Sequence, residues 1–131
     1  MPDFEKSREM AASPEVTWAV VSDPGRRADW VPTARSSRPA GDRTVHLRGQ
    51  SHGHDYDTNS GFVTDNGARR LSWNSPRLPG YEGVLTVTEH GAGSRVTVRV
   101  TLPDVPPGSD AELERGLGEA LDRIDRLTMA G

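Results

Sequence analysis

Cysteine is absent from this sequence of 131 residues, and so are long apolar stretches. Without cysteine, the chain can form no disulfide bond, no thiolate nucleophile and no cysteine-ligated zinc site. No segment approaches the roughly 20 consecutive apolar residues of a membrane-spanning helix, and the N-terminus has no apolar run of signal-peptide length. These absences predict a cytoplasmic protein without a membrane partner.

Clustered positive charge is also missing. The formal net charge is -3, and 16 Lys and Arg residues are scattered among 19 Asp and Glu residues. A protein that neutralises the phosphates of nucleic acid presents its basic residues as a patch or stripe, so no nucleic-acid partner is expected. Because charged side chains are rarely buried, five arginines are interpreted as solvated surface residues and not as an anion site. They are Arg26, Arg27, Arg69, Arg70 and Arg99.

The apolar content is sufficient for one compact core. Hydrophobic residues make up 33% of the sequence and 14 glycines add to them, as in an ordinary globular protein. A chain of this length buries about two-thirds of its unfolded surface when it folds as one unit. Residues 1–131 are therefore predicted to form a single domain, either as a monomer or as a weak homodimer.

The N-terminal part of the chain predicts a strand followed by two short helices. Residues 3–12 show a weak alternation that indicates a strand. Ser13-Pro14-Glu15 is a helix-start signature, because serine caps free N–H groups, proline fits the first helical position and glutamate complements the helix dipole. It predicts a helix over residues 14–21, and another turn or two over residues 26–30. The side chains available for burial on the first helix are Val16, Ala19 and Val20.

Residues 44–102 carry short alternating runs separated by turn residues, which predict a meander of antiparallel strands. The clearest hairpin joins residues 85–88 to residues 96–102 through Gly91-Ala92-Gly93. Strict alternation indicates that one face of the sheet is covered and the other face meets water.

The C-terminal segment predicts one amphipathic helix of about five turns that covers the sheet. Ser109 and Glu112 form a capping box at its start. Its apolar residues recur at spacings of three and four: Leu113, Leu117, Leu121, Ile124 and Thr128. Small residues between helix and sheet should leave unfilled volume there, although each glycine weakens the helix by roughly 1 kcal/mol relative to alanine. These small residues are Gly83, Gly116, Gly118 and Ala120.

Four short motifs, in order along the chain, are similar to those of a known superfamily. Residues 7–24, SREMAASPEVTWAVVSDP, resemble the opening of the START-like, polyketide cyclase/dehydrase (SRPBCC) superfamily, in which a first strand runs into an ASPE-V-W-V-SDP helix. Trp30 before Pro32 resembles its second-helix tryptophan. Residues 69–73, RRLSW, and residues 93–97, GSRVT, resemble two of its strands.

That resemblance implies a helix-grip fold of the α+β class. The expected architecture is a curved antiparallel sheet of about six or seven strands around a long C-terminal helix, with two short helices after the first strand. It also implies a cavity between sheet and helix, which the superfamily uses for lipids, aromatic polyketides, hormones and similar molecules. Its members range from enzymes to carriers and sequestering proteins, so the fold alone does not choose among them. No tightly held cofactor is expected.

Large aromatic and apolar side chains are the candidates for lining such a cavity, because an aromatic ring buries a large area and offers one polar edge to a flat organic ligand. Ordinary core packing is the alternative for each of them. Trp73 on a strand and Leu117 and Leu121 on the helix are predicted to form opposite walls. The full set of predicted ligand-binding residues is Trp18, Trp30, Tyr56, Phe62, Trp73, Tyr81, Leu85, Leu117 and Leu121.

Residues 51–57, SHGHDYD, are the one cluster suited to acid–base or metal chemistry. Histidine titrates near neutral pH and a neighbouring aspartate can orient it, so His54 and Asp57 are the candidate catalytic residues if they face inward. Alternation does not decide which way they point. His52 and His54 could also share a metal ion, but a third ligand would have to come from His46 or His90, and a solvated hairpin tip has the same composition. No metal site is predicted.

The sequence as a whole favours a protein that binds a hydrophobic or aromatic small molecule, as a carrier or as a sequestering self-resistance protein of bacterial secondary metabolism. The first alternative is a cofactor-independent cyclase or dehydratase acting on a polyketide-like chain, with His54 or Asp57 as proton-transfer groups. The second alternative is a protein-interaction module, which would need an exposed apolar patch.

Overall fold

One strand, two short helices, six further strands and a long helix follow one another in this computed structural model. The strands are β1 Asp3–Met10, β2 Ala34–Pro39, β3 Thr44–Ser51, β4 His54–Asp65, β5 Arg70–Asn74, β6 Glu82–His90 and β7 Gly93–Thr101. The helices are α1 Pro14–Val21, α2 Arg27–Trp30 and α3 Ser109–Met129, with a 3-10 turn at Pro24–Arg26 before α2. The structure describes residues 3–32, 34–41, 43–51, 54–74, 80–101 and 109–129, without the side chains at 51, 54, 56, 109, 110, 112 and 113.

The seven strands form one antiparallel sheet in the order β1-β7-β6-β5-β4-β3-β2. Its first and last strands in the chain are neighbours, because β1 pairs with β7 along its whole length from Asp3↔Thr101 to Met10↔Ser94. With α3 as the C-terminal helix, this is the predicted helix-grip architecture, and the fold class is confirmed.

Alternation along β6 and β7 produces the two faces of the sheet, as the sequence predicts. Val96, Val98 and Val100 are buried on the inner face, whereas Arg95 and Arg99 are exposed on the outer face. The two strands pair from Glu82↔Thr101 to His90↔Gly93, so the hairpin is confirmed within the described residues. Leu102, the last residue of the predicted run, lies outside them.

Strand β2 was not predicted, because its sequence ARSSRP has no apolar alternation. It forms by backbone pairing with β3, with a register shift between Ala34 and Ser36. Ser37 ties it to the helical segment: its Oγ donates to the carbonyl oxygen of Gly25 at 3.2 Å and accepts from the N–H of Ala28 at 2.9 Å. Polar side-chain contacts thus hold an edge strand that hydrophobic patterning does not reveal.

Helix α1 begins where the capping signal predicts, with the N–H of Val16 donating to Ser13 Oγ at 3.3 Å. Its buried side differs from the prediction, which is right for Val20 and wrong for Ala19 and for Val16, whose surface is 42% exposed. The reason is polar: Thr17 Oγ1 lies 2.9 Å from Ser94 Oγ of β7, and this contact turns Thr17 to the core.

Helix α3 begins at Ser109 as predicted, although the side chains of its proposed capping box, Ser109 and Glu112, lie outside the described part. Its C-terminal half carries the buried residues Ala120, Leu121, Ile124 and Thr128. Arg8 of β1 fastens this half to the sheet through ion pairs with Asp122 and, at 3.0 Å, with Asp125. None of the helices in the described ranges is both long enough and apolar enough to cross a bilayer.

Candidate functional site

The candidate site lies near one end of the strands, where β5 ends and β6 begins. There β3 ends at Ser51 opposite His54 of β4, and Asn74 of β5 lies beside Glu82 of β6, which pairs with Thr101 of β7. We call this end of the strands the loop end. At the opposite end the strands are joined by tight turns, such as the one between β4 and β5. In that turn, Asn66 Oδ1 accepts a hydrogen bond from the indole N–H of Trp18 at 2.9 Å.

A buried arginine lies among three aromatic rings on the inner face of the sheet. The guanidinium carbon of Arg27 is 4.5 Å from the ring centroid of Trp73, 5.0 Å from that of Trp30 and 5.5 Å from that of Phe62. We call Trp30, Phe62 and Trp73 the aromatic cluster. The interpretation of Arg27 as a solvated residue is wrong, since its surface is only 4% exposed. The negative faces of the rings offset part of the cost of removing its charge from water, and a guanidinium tolerates this better than an ammonium because it is weakly hydrated.

Strand register brings the cluster together and fixes its geometry. Phe62 of β4 is the direct partner of Trp73 of β5, and Trp73 is the direct partner of Gly83 of β6. The indole N–H of Trp73 donates to the hydroxyl oxygen of Tyr81 at 3.1 Å. Trp30 meets Trp73 edge to face, with ring centroids 6.2 Å apart and an interplanar angle of 73°. Trp73 is therefore held from three directions.

The small residues that were expected to leave space behave differently from one another. At Gly83, a side chain would overlap the indole of Trp73, so the space there is filled. At Gly118, a Cβ atom would lie 3.3 Å from Lys6 Nζ. At Gly116, a Cβ atom would meet none of the described atoms within 4 Å. Along α3, Gly116 follows Leu113 by three residues, directly precedes Leu117 and precedes Ala120 by four residues. It therefore lies beside the apolar stripe of the helix.

The predicted ligand-binding residues divide into three groups. Trp30, Phe62, Trp73 and Tyr81 are brought together at the aromatic cluster. Leu85 and Leu121 have 0% and 1% of their surface exposed, so a ligand would reach them only if their neighbours moved. Leu117 packs against the core while staying partly exposed. Trp18 is bonded to Asn66, away from the cluster, and the side chain of Tyr56 lies outside the described part.

Asp57 lies on the outer face of the sheet, opposite to the face that carries Phe62 in the same strand. Its carboxylate is 2.7 Å from His46 Nε2 and 3.5 Å from Arg48 Nε, and its side chain is 58% exposed. The other ring nitrogen of His46 lies 2.8 Å from Asn59 Oδ1, so both nitrogens of this imidazole are engaged. This placement does not support proton transfer by Asp57 on the inner face of the sheet.

The remaining residues of the proposed acid–base segment are only partly described. His54 pairs with Ser51 through its backbone, and its side chain lies outside the described part, as does all of His52. Within the described ranges, no three His, Asp or Glu side chains come close enough together to hold a metal ion.

Arg27 is the site residue that the sequence interpretation missed. One signal could have identified it: Arg27 precedes Trp30 by three residues on a short helix, and residues at this spacing lie on the same side of a helix. Burial of Trp30 therefore places the side chain of Arg27 on the buried side of the helix as well.

Comparison with known proteins is consistent with this architecture. The model of the family described as polyketide cyclase/dehydrase and lipid transport matches residues 1–127. No curated protein sequence matches the chain significantly.

Solved structures with the same fold are similar over nearly the whole chain. The Zhui aromatase/cyclase from Streptomyces sp. R1128 is 16% identical with a TM-score of 0.80, covering 98% of this chain and 93% of that one. TTHA0849 from Thermus thermophilus is 18% identical with a TM-score of 0.77, covering 98% of each chain. XoxI from Bacillus cereus is 23% identical with a TM-score of 0.76, covering 98% of this chain and 96% of that one.

Proposed function

This chain belongs to the polyketide cyclase/dehydrase and lipid transport family, and on that premise we propose that it binds a hydrophobic or aromatic small molecule between the inner face of the sheet and α3. It acts as a carrier or sequestering protein of bacterial secondary metabolism, working in the cytoplasm as a monomer or weak homodimer.

The observation that carries this proposal is the open space at Gly116. The C-terminal half of α3 is packed, with Leu121 and Ile124 essentially without exposed surface. In its N-terminal half, a Cβ atom at Gly116 would meet none of the described atoms within 4 Å, and Gly116 and Leu117 both keep part of their surface uncovered. Open space beside an apolar stripe can accept an apolar ligand, and such a ligand would cover the exposed part of Leu117.

The chemistry of the aromatic cluster supports a flat ligand with a polar group. Trp30, Phe62 and Trp73 offer apolar ring surface, and Arg27 places a permanent positive charge among them. Tyr81 and Leu117 would extend the same wall, since both pack against the core without being fully covered. Tyr56 is included in the proposed site on its sequence position alone.

Native mass spectrometry of protein purified from its own host tests the proposal. We expect an additional mass of a small organic molecule, and we expect Gly116→Leu to remove it while circular dichroism stays unchanged, because the leucine fills the space that the ligand needs. The matched control is Gly118→Leu, whose side chain would meet mainly the flexible end of Lys6. Equal retention of the ligand by both variants would contradict the proposed location.

A cyclase or dehydratase using the same cavity is the second candidate function. The observation in its favour is the fold likeness to a named aromatase/cyclase, together with the charge of Arg27, which could stabilise an enolate formed from a poly-ketone chain. In this version His54 is the proposed proton-transfer group. A carrier returns its ligand unchanged, whereas an enzyme converts it and loses turnover in His54→Ala with binding retained. Mass analysis of the ligand after incubation distinguishes the two.

A further inference from the structure

The hydroxyl group of Tyr81 has one hydrogen-bonding function occupied and one available. An indole N–H is only ever a donor, so the 3.1 Å contact with Trp73 Nε1 makes the Tyr81 oxygen an acceptor. The hydroxyl hydrogen can then be given to a second group. Within the described residues, the bond from Trp73 is the one hydrogen bond that this hydroxyl makes.

The neighbours of Tyr81 make its hydroxyl a better donor. Arg27 lies over the ring of Trp73 at 4.5 Å. Its positive charge draws electron density from the indole, so the indole N–H becomes a stronger hydrogen-bond donor. Groups linked by consecutive hydrogen bonds polarise one another, so an oxygen that accepts from a polarised N–H donates its own hydrogen more strongly. Arg27, Trp73 and Tyr81 therefore form a chain of contacts in which each group polarises the next, and the last group is the Tyr81 hydroxyl.

The position of this O–H group is suited to a ligand. Tyr81 directly precedes β6 at the loop end, and it packs against the buried core while keeping part of its surface uncovered. Its oxygen is fixed by Trp73, which itself lies against Gly83 and Trp30. A donor held in place before binding loses little freedom when it meets an acceptor, and this favours selective recognition.

We propose that the Tyr81 hydroxyl donates a hydrogen bond to a ketone or phenolate oxygen of the ligand, which selects oxygenated aromatic molecules over aromatic hydrocarbons. The proposal rests on the proposed function, because it assigns the ligand class of the same site. Tyr81 contacts the ligand, whereas Trp73 and Arg27 position and polarise it.

Two matched pairs of probes test this selection: 1-indanone with indane, and 9-fluorenone with fluorene. Within each pair the ring skeleton is the same and the ketone oxygen is the difference. Binding is measured by quenching of tryptophan fluorescence. We expect the wild-type protein to bind at least one ketone about fivefold to tenfold more tightly than its hydrocarbon, the ratio expected for one net hydrogen bond.

The Tyr81→Phe variant removes the hydroxyl and keeps the ring, so the ketone preference should fall to about one while hydrocarbon binding is unchanged. Ser72→Ala is the control, because it removes a hydroxyl from the strand of Trp73 on the opposite face of the sheet, and it should keep the preference. Infrared spectroscopy gives an independent readout: the carbonyl stretch of the bound ketone should lie at lower frequency in the wild-type protein than in Tyr81→Phe.

The outcomes distinguish failure of the Tyr81 hydrogen bond from failure of the proposed function. If ketone and hydrocarbon bind equally to the wild-type protein, or if Tyr81→Phe keeps both the preference and the infrared shift, the role of Tyr81 is overturned, whereas the proposed binding of an aromatic molecule stands. If none of the probes binds, the proposed function fails for aromatic ligands and the role of Tyr81 fails with it.

Discussion

The indole of Trp73 lies against the backbone of Gly83, in the volume that a side chain at Gly83 would occupy. The two residues are direct partners in the pairing of β5 with β6. A large aromatic ring is thus accommodated on the inner face because its partner has no side chain, and the ring covers backbone that would otherwise be bare. The orientation of Trp73 towards Arg27 and Tyr81 depends on this arrangement.

We predict that Gly83→Ala destabilises the protein by about 1–3 kcal/mol, the usual cost of forcing an extra methyl group into a packed position. The methyl group must displace the indole, so aromatic ligand binding should weaken as well. Urea denaturation and tryptophan fluorescence measure the two effects. Gly116→Ala is the matched control: it has open space and gains helix propensity, so it should stabilise by about 0.5–1 kcal/mol. A neutral Gly83→Ala would contradict the close contact with Trp73.

We predict that Arg27→Ala destabilises the protein by about 2–4 kcal/mol, since it removes a buried side chain that contacts three rings. Arg26→Ala, at the neighbouring position, should change stability by less than about 0.5 kcal/mol. Arg26 is partly exposed and its ion pair with Asp29 spans 3.5 Å at the surface, where such pairs contribute little. Similar values for the two variants in urea denaturation would show that the burial of Arg27 has no energetic consequence.

Much of the fold was predictable because the chain encodes it locally. The valines of β7 alternate, Ser13 and Pro14 mark the start of α1, and the stripe of α3 repeats at helical spacing. Strand β2 was not predictable in this way, because its pairing with β3 is made by backbone groups and its side chains carry no alternation.

The candidate site was predictable only in part. Aromatic residues could be named as candidates, but which of them come together depends on tertiary contacts, such as those of Trp18 with Asn66 and of Trp73 with Gly83. The burial of Arg27 was missed because a charged residue is normally assigned to the surface. Three rings from three different elements change that assignment, and no single segment reveals them.

Ser94 links α1 to the sheet through a buried polar contact. Its Oγ donates to the carbonyl oxygen of Ala12 at 2.9 Å, and its geometry leaves Thr17 Oγ1 to donate to it. We predict that Ser94→Ala costs about 1–3 kcal/mol in thermal or urea unfolding, because a buried hydroxyl of Thr17 loses its partner. The control Ser7→Ala removes a hydroxyl that lies 3.0 Å from Thr97 on the exposed face and should have little effect. Equal effects would argue against a special role for burial.

The pairing of Asp3 with Arg99 gives a prediction for acid solution. The hydrogen bond from Arg99 at 2.6 Å, followed by that from Thr101 at 2.8 Å, lowers the pKa of Asp3 below its ordinary value of 3.8. A lowered pKa means that the carboxylate stabilises the folded state above the ordinary value, and that this contribution is lost as the pH falls through the folded pKa. NMR titration should find the Asp3 midpoint below 3.8, and Arg99→Gln should raise it. An Asp3 midpoint that stays the same in Arg99→Gln would contradict the pairing of Asp3 with Arg99.

The variant Asp57→Asn tests whether the reactive groups lie only on the inner face of the sheet. Because its carboxylate meets His46 and Arg48 on the outer face, Asp57→Asn should leave ligand binding and any turnover unchanged. It should reduce stability by no more than about 1 kcal/mol, as is usual for exposed ion pairs. Comparison with His54→Ala separates the two candidate catalytic residues: in the enzyme version of the proposal, turnover depends on His54 and not on Asp57. Loss of turnover in Asp57→Asn, with unfolding and ligand affinity retained, would assign proton transfer to the outer face and contradict the placement of the reactive site beside Trp73.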